Sequence, residues 1–202
     1  MSTRERILQA AIQALATHGY AKTTARSIAA LGGFAPGVLY YHFSDLDDVL
    51  QAAVAYASDT REARYRAMVI GVDNAVELIA VLRKLYEEDA ASGHIEAVQE
   101  MVAAARPGSP LAEAIAAQTR RWEELAEVVI RNLLRGKPLA RLVNVPVASR
   151  AVVAYYLGMQ TLTHIDRDAT RPAAAFAQAA RLAVAFDRIP RLRRRNRSSL
   201  VS

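Results

Sequence analysis

The stretch Thr23–Phe43, TTARSIAALGGFAPGVLYYHF, constrains the fold more than any other part of the chain. Thr23 and Thr24 are good helix N-caps, because their hydroxyls accept backbone N–H groups left unpaired in a first turn. Ala25 to Leu31 then offers Ile28, Ala29 and Leu31 for an inner face. Gly32 and Gly33 stop that helix, since glycine takes a left-handed C-cap without a Cβ clash. Pro36 suits the first turn of a second helix, where its missing N–H costs nothing. That helix should end near Phe43. It packs Val38, Leu39 and Phe43 inward and shows Pro36, Gly37, Tyr40, Tyr41 and His42 outward. Helix, glycine turn and helix give the outline of a helix-turn-helix.

The chain around it reads as helix after helix. Residues 4–18 put Ile7, Leu8, Ala11, Ile12 and Leu15 on one face, with Thr3 as cap and no capping box. Asp45 caps a fourth helix running to about Val69, and Asp47 and Asp48 favour its positive end. Further helical patterns cover about 74–91, 95–105, 111–134, 148–164 and 172–186. Ser92-Gly93, Arg106-Pro107-Gly108 and Gly136-Lys137-Pro138 break them. Nothing alternates as a strand, and no internal repeat shows. The fold class is therefore all-α.

Apolar residues make up 52% of the 202, enough for a sizeable core. There is no cysteine, hence no disulfide and no thiolate nucleophile or metal ligand. The start lacks a secretory apolar run, and no uninterrupted apolar stretch of about 18 residues exists, so a cytoplasmic protein is expected. The net charge of +6 is carried by Arg188, Arg191, Arg193, Arg194, Arg195 and Arg197. The first 50 residues are formally neutral, with Arg4, Arg6, Lys22 and Arg26 set against Glu5, Asp45, Asp47 and Asp48. A DNA-binding reading thus rests on the motif and not on bulk charge. His94 with Glu96, and His164 with Asp166 and Asp168, supply too few ligands for a metal site. No serine sits in a nucleophile elbow, and no phosphate-binding glycine loop follows a strand. No enzyme activity, cofactor or metal is expected.

Thr23, Thr24, Ile28, Ala29, Gly33, Gly37, Leu39, Tyr40, His42 and Phe43 stand without a gap where one family keeps the same residues. Over about its first 50 residues the chain resembles the tetracycline-repressor (TetR) family of one-component transcriptional regulators. The departures are Gly32 for the usual alanine, Phe34 for valine, Ala35 for a capping serine, Val38 for threonine and Leu46 for a phosphate-binding lysine. Losing that cap typically costs about 1 kcal/mol.

The resemblance implies a three-helix DNA-binding head over residues 1–46 and a ligand-binding and dimerisation body of about six helices over 47–187. A basic tail, 188–202, reads as disordered. The implied function is a repressor that binds a palindromic DNA operator as a homodimer, paired through its last two helices, and is released by a small apolar or amphipathic effector. Two heads about 34 Å apart would read such a palindrome. An effector-independent repressor or architectural protein is the alternative. The DNA-facing residues are expected to be Lys22, Thr24, Arg26, Ala35, Pro36, Gly37, Tyr40, Tyr41 and His42. The exposed part of the second helix lacks Arg, Asn and Gln, so DNA shape, water or methyl contacts are expected to carry specificity. Tyr65, Met68, Tyr86, Met101, Trp122, Tyr155 and Met159 are the bulky candidates for lining an effector pocket, since aromatics and methionines suit a plastic apolar cavity.

Overall fold

A computed structural model describes residues 1–191. Among them run nine α-helices, two short 3-10 turns and no strand. The helices are α1 (Thr3–His18), α2 (Ala25–Gly32), α3 (Pro36–His42), α4 (Leu46–Val69), α5 (Ala75–Ala91), α6 (His94–Ala104), α7 (Pro110–Leu134), α8 (Val145–Asp166) and α9 (Thr170–Asp187). No helix of these is long and apolar enough to cross a membrane. Of the expected basic tail, residues 192–202 lie outside the described residues.

Two expected starts are corrected. Ser2, not Thr3, caps α1: its hydroxyl accepts from Glu5 N at 3.1 Å, and Glu5 Oε2 accepts from Ser2 N at 2.7 Å. This reciprocal capping box satisfies two otherwise unpaired donors. Helix α8 begins at Val145, three residues early, because the Asn144 side chain accepts from Val147 N and Pro146 falls in the first turn, where it is tolerated.

Helix α1 is the hub of the first core. Its Ile7, Leu8, Ala11 and Leu15 pack with Ile28 of α2, Leu39 of α3, Phe43 and Val49, and also with Met101 of α6 and Leu111 of α7. The head therefore shares one core with the body through α4 and α6. Gly33 closes α2 in the left-handed conformation, φ 65°, as its sequence suggested. Leu31 does not join the core; it is 43% exposed. The Phe34 ring packs there instead, so close that a Cβ on residue 32 would sit 2.1 Å from it. Gly32 and Phe34, two departures from the usual pattern, are thus one coupled change: the larger ring needs the missing methyl.

Long-range caps close the body. The Asp187 carboxylate at the end of α9 accepts from Ala75 N (2.9 Å) and Val76 N (3.0 Å) at the start of α5. Buried Lys137 donates to Phe186 O (2.9 Å) and Ile189 O (3.1 Å). Arg191 donates to Asp73 O at 2.8 Å, so residues 188–191 pack onto the body.

A buried polar network ties α4 to α5 and α8. Asp89 Oδ2 accepts from Arg61 Nε (2.7 Å) and Tyr65 Oη (2.9 Å), and its Oδ1 accepts from Arg64 Nη2 (2.5 Å). Tyr65 Oη lies 3.4 Å from Tyr156 Oη. Burial raises both phenols above their ordinary range, so they remain neutral. His94 sits beside this network with Nε2 buried and unpaired. Burial, reinforced by Arg61, pushes its pKa down to about 4 from 6.5. Between those values the unfolded chain binds the proton and the folded chain does not, so stability rises with pH through the window. Stability is expected to fall by about 2 kcal/mol from pH 7 to pH 5 on this account. Urea unfolding of the wild type and of His94→Gln at both pH values measures it; an undiminished fall in the variant would remove His94 as its source.

Candidate nucleic-acid interface and ligand cleft

Local chemistry positions α3. Pro36 stands in its first turn, and Ala35 at the N-cap offers no side-chain hydrogen bond, as its sequence suggested. The helix is held from within, by fully buried Leu39 and by Phe43 at its C-terminal end. Its other side is open. Tyr40 is 55% and Tyr41 87% exposed; Ala35, Pro36 and Gly37 are exposed too. Nothing lies within 4 Å of where a Gly37 Cβ would project, so backbone can approach a partner there. His42 is half-buried, edge-on to Tyr41 at 5.2 Å between ring centres.

Helix α2 adds its N-terminus. Thr24 caps it and pairs reciprocally with Ser27, while Lys22, Thr24 and Arg26 are exposed. Among the described residues, Lys22 and Arg26 have no ion-pair partner. The acids that made the head neutral on paper are engaged elsewhere. Glu5 accepts from Ser2 N, Asp45 caps α4, Asp48 accepts from Ser44 N, and Asp47 accepts from Tyr20 Oη. Exposed Lys22 and Arg26 beside the exposed tyrosines give the ends of α2 and α3 a basic, aromatic face, suited to phosphates by charge and by phenol hydrogen bonds.

The body holds a cleft of about 630 Å³ between α5 and α9, closed at depth by α6 and α8. Its walls are apolar, with Val76, Ile79 and Ala80 on one side and Pro172, Phe176 and Ala177 on the other. Its floor carries Tyr86, Ile95, Glu96, Gln160, Thr163 and His164. Of the seven pocket candidates, Tyr86 alone lines it. Tyr65 and Trp122 stack edge to face in a separate core. Met101 seals the joint with the head. Met159 packs behind Tyr86. Met68 and Tyr155 point outward, on the exposed sides of α4 and α8. The polar floor was missed; its signal was Gln160, the polar residue inside the apolar run AVVAYYLGMQTL.

Helix α6 also connects the cleft to the head. Glu100 Oε2 accepts from Tyr20 N at 2.9 Å, just past α1, and Glu100 Oε1 lies 3.5 Å from His164 Nε2 on the cleft floor.

Comparison with known proteins agrees with this architecture. Residues 7–53 match the family model described as bacterial regulatory proteins, tetR family. The HTH-type transcriptional regulator TtgR of Pseudomonas putida is 32% identical over 83 residues, a match that spans 41% of this chain and 39% of that protein. The regulator UidR of Escherichia coli (strain K12) is 24% identical over 179 residues, 89% of each chain. The transcriptional regulator FadR from Bacillus subtilis, solved in complex with stearoyl-CoA, shares the fold with a TM-score of 0.71 at 16% identity, over 90% of this chain and 98% of that one. Residues 7–53 thus carry the helix-turn-helix domain of the tetR family of bacterial regulatory proteins, on a fold shared with a solved transcriptional regulator along nine-tenths of the chain.

Proposed function

We propose that the protein is a ligand-responsive repressor that binds a palindromic operator as a homodimer. The observation that carries this is the exposed face of α2 and α3, set on a head whose core is continuous with α6, a helix that also floors a body cleft. Tyr40, Tyr41 and His42 bond phosphates, as do Lys22, Thr24 and Arg26. Pro36 and Gly37 sit against the groove wall, beside Ala35. Dimerisation uses α8 and α9: Val152, Tyr155, Leu162 and Ile165 form an exposed apolar stripe along α8, with Leu182 exposed on α9. A second copy covers this stripe and sets the spacing of two heads. An effector in the cleft shifts the population toward dimers whose heads fit the operator poorly, and can do so only by its differential affinity for the two states.

Selection of genomic DNA fragments by the purified protein at about 150 mM salt tests the reading, since that level suppresses weak phosphate-only binding. Enrichment of a short palindrome is expected; enrichment of no sequence would overturn it.

Glu100 is the group through which the cleft reaches Tyr20. Glu100→Gln is expected to leave operator affinity within about threefold. It should shrink the effector-induced loss of affinity, roughly 5- to 150-fold for a coupling of about 1–3 kcal/mol, by at least half on a logarithmic scale. Operator binding with and without a saturating cleft ligand measures both quantities, and an unchanged ratio would exclude this route.

A further inference from the structure

The cleft is apolar along its walls, but its floor holds more polar capacity than the protein satisfies. Glu96 Oε2, Gln160 Nε2 and Thr163 Oγ1 are all shielded from solvent and have no hydrogen-bond partner. Gln160 is only 2% exposed. Unpaired buried polar groups are costly, so three around one cavity are groups that a ligand can satisfy. Charge then narrows the ligand. Arg83 and Glu87, both exposed at the mouth, lie 3.5 Å apart and offset one another. His164 faces Glu100. The Glu96 carboxylate is therefore the one charge on the cleft lining without an ion-pair partner among the described residues. The rings of Tyr86 and Phe176, 5.4 Å apart and tilted, line the same cavity. A carboxylate beside aromatic faces favours a cation: charge-assisted hydrogen bonds are about twice as strong as neutral ones, and ring faces attract cations further. A ligand carboxylate would meet Glu96 without compensation.

We propose that the cleft takes an apolar cation, its hydrocarbon or aromatic body lying between α5 and α9 and its protonated amine seated at Glu96 against Tyr86 and Phe176. The ammonium group supplies N–H donors for the Glu96 carboxylate and the Thr163 hydroxyl, while the Gln160 amide, whose unpaired atom is the donor Nε2, borders the seat. The proposal rests on reading the cleft as the effector site.

Calorimetric titration of the full chain with three probes of one body tests it: 2-naphthylmethylammonium, 2-naphthylmethanol and 2-naphthylacetate. The ammonium is expected to bind at least tenfold tighter than the alcohol, with the carboxylate weakest. Glu96→Gln, its fold checked by circular dichroism, is expected to cut ammonium affinity at least tenfold and narrow the gap to the alcohol to under threefold. Carboxylate or alcohol binding as tight as ammonium, or an indifferent Glu96→Gln, would overturn the cation assignment and leave the cleft as a ligand site. Ala177→Trp, which fills the cleft from its rim, separates the two readings. If it leaves ammonium binding unchanged, or if no probe binds at millimolar concentration, the cleft itself is lost as the site. If Glu96→Gln does not fold, Glu96→Asp replaces it: a lost ammonium preference supports the cation assignment, and a preference kept in full overturns it.

Discussion

Asp89→Ala is expected to destabilise the protein by about 3–5 kcal/mol, the usual cost of leaving a buried charge without its partner. Asp89 is 2% exposed, and two guanidinium groups and a phenol converge on it from α4. Arg64 is exposed and can turn to water. Arg61 is buried and cannot, so the variant keeps a guanidinium in a dry site without a carboxylate, beside the rings of Tyr65 at 5.6 Å and Trp122 at 5.4 Å. Against a whole-protein stability of about 5–15 kcal/mol the loss is large, and for this size it corresponds to a fall of roughly 6–20 °C in Tm. Urea and thermal unfolding at one fixed protein concentration measure it, because the proposed self-association would make stability depend on concentration. Replacing both charges, Arg61→Met with Asp89→Leu, is expected to recover most of the loss, since a buried pair exchanged for apolar groups of similar volume is often neutral. A loss below 1 kcal/mol in the single variant would mean that water reaches Arg61 and that the network does not anchor α4.

This network was invisible in the sequence, whereas the helix-turn-helix was plain in it, and the contrast is physical. The bounds of α2 and α3 follow from local chemistry: a cap at Thr24, a left-handed glycine at position 33, a proline at 36. Each acts within one turn of chain. Arg61 and Asp89 lie 28 residues apart and meet only because α4 packs on α5. The pocket candidates failed for a related reason. Residue type marks a bulky side chain but not which way it points. Tyr155 and Tyr156 are neighbours, yet one is 65% exposed and the other reaches the Asp89 network through Tyr65. One step along a helix turns a side chain by about 100°. The cleft draws on four helices, and no window of sequence contains it. The polar exceptions in apolar helices, Gln160 above all, were the legible trace, because a helix otherwise apolar on most sides keeps an amide only where something meets it.

In the proposed homodimer the head is where a small change should have the largest functional effect, because it counts twice. Tyr40 lies on the outer side of α3, with buried Leu39 and Phe43 fixing the helix behind it. On the proposed mode of binding, Tyr40→Ala removes one phenol hydrogen bond to a phosphate per head, about 1–1.5 kcal/mol each. Over two heads that is roughly a 30- to 150-fold loss of operator affinity. The phenol is neutral, so the dependence of log K on log salt should keep its slope. Arg26→Ala makes the opposite case. If Arg26 meets a phosphate as proposed, each head loses one such charge, so the slope should become shallower by about 2 for the proposed dimer. Neither side chain supports the core, and both variants should unfold at the wild-type midpoint. Titration of the selected operator at several salt concentrations reads affinity and slope together. If Tyr40→Ala binds as the wild type does, α3 does not present this face to DNA. If Arg26→Ala leaves the slope unchanged, the N-terminus of α2 stands away from the phosphates, and α3 would have to carry the interface alone.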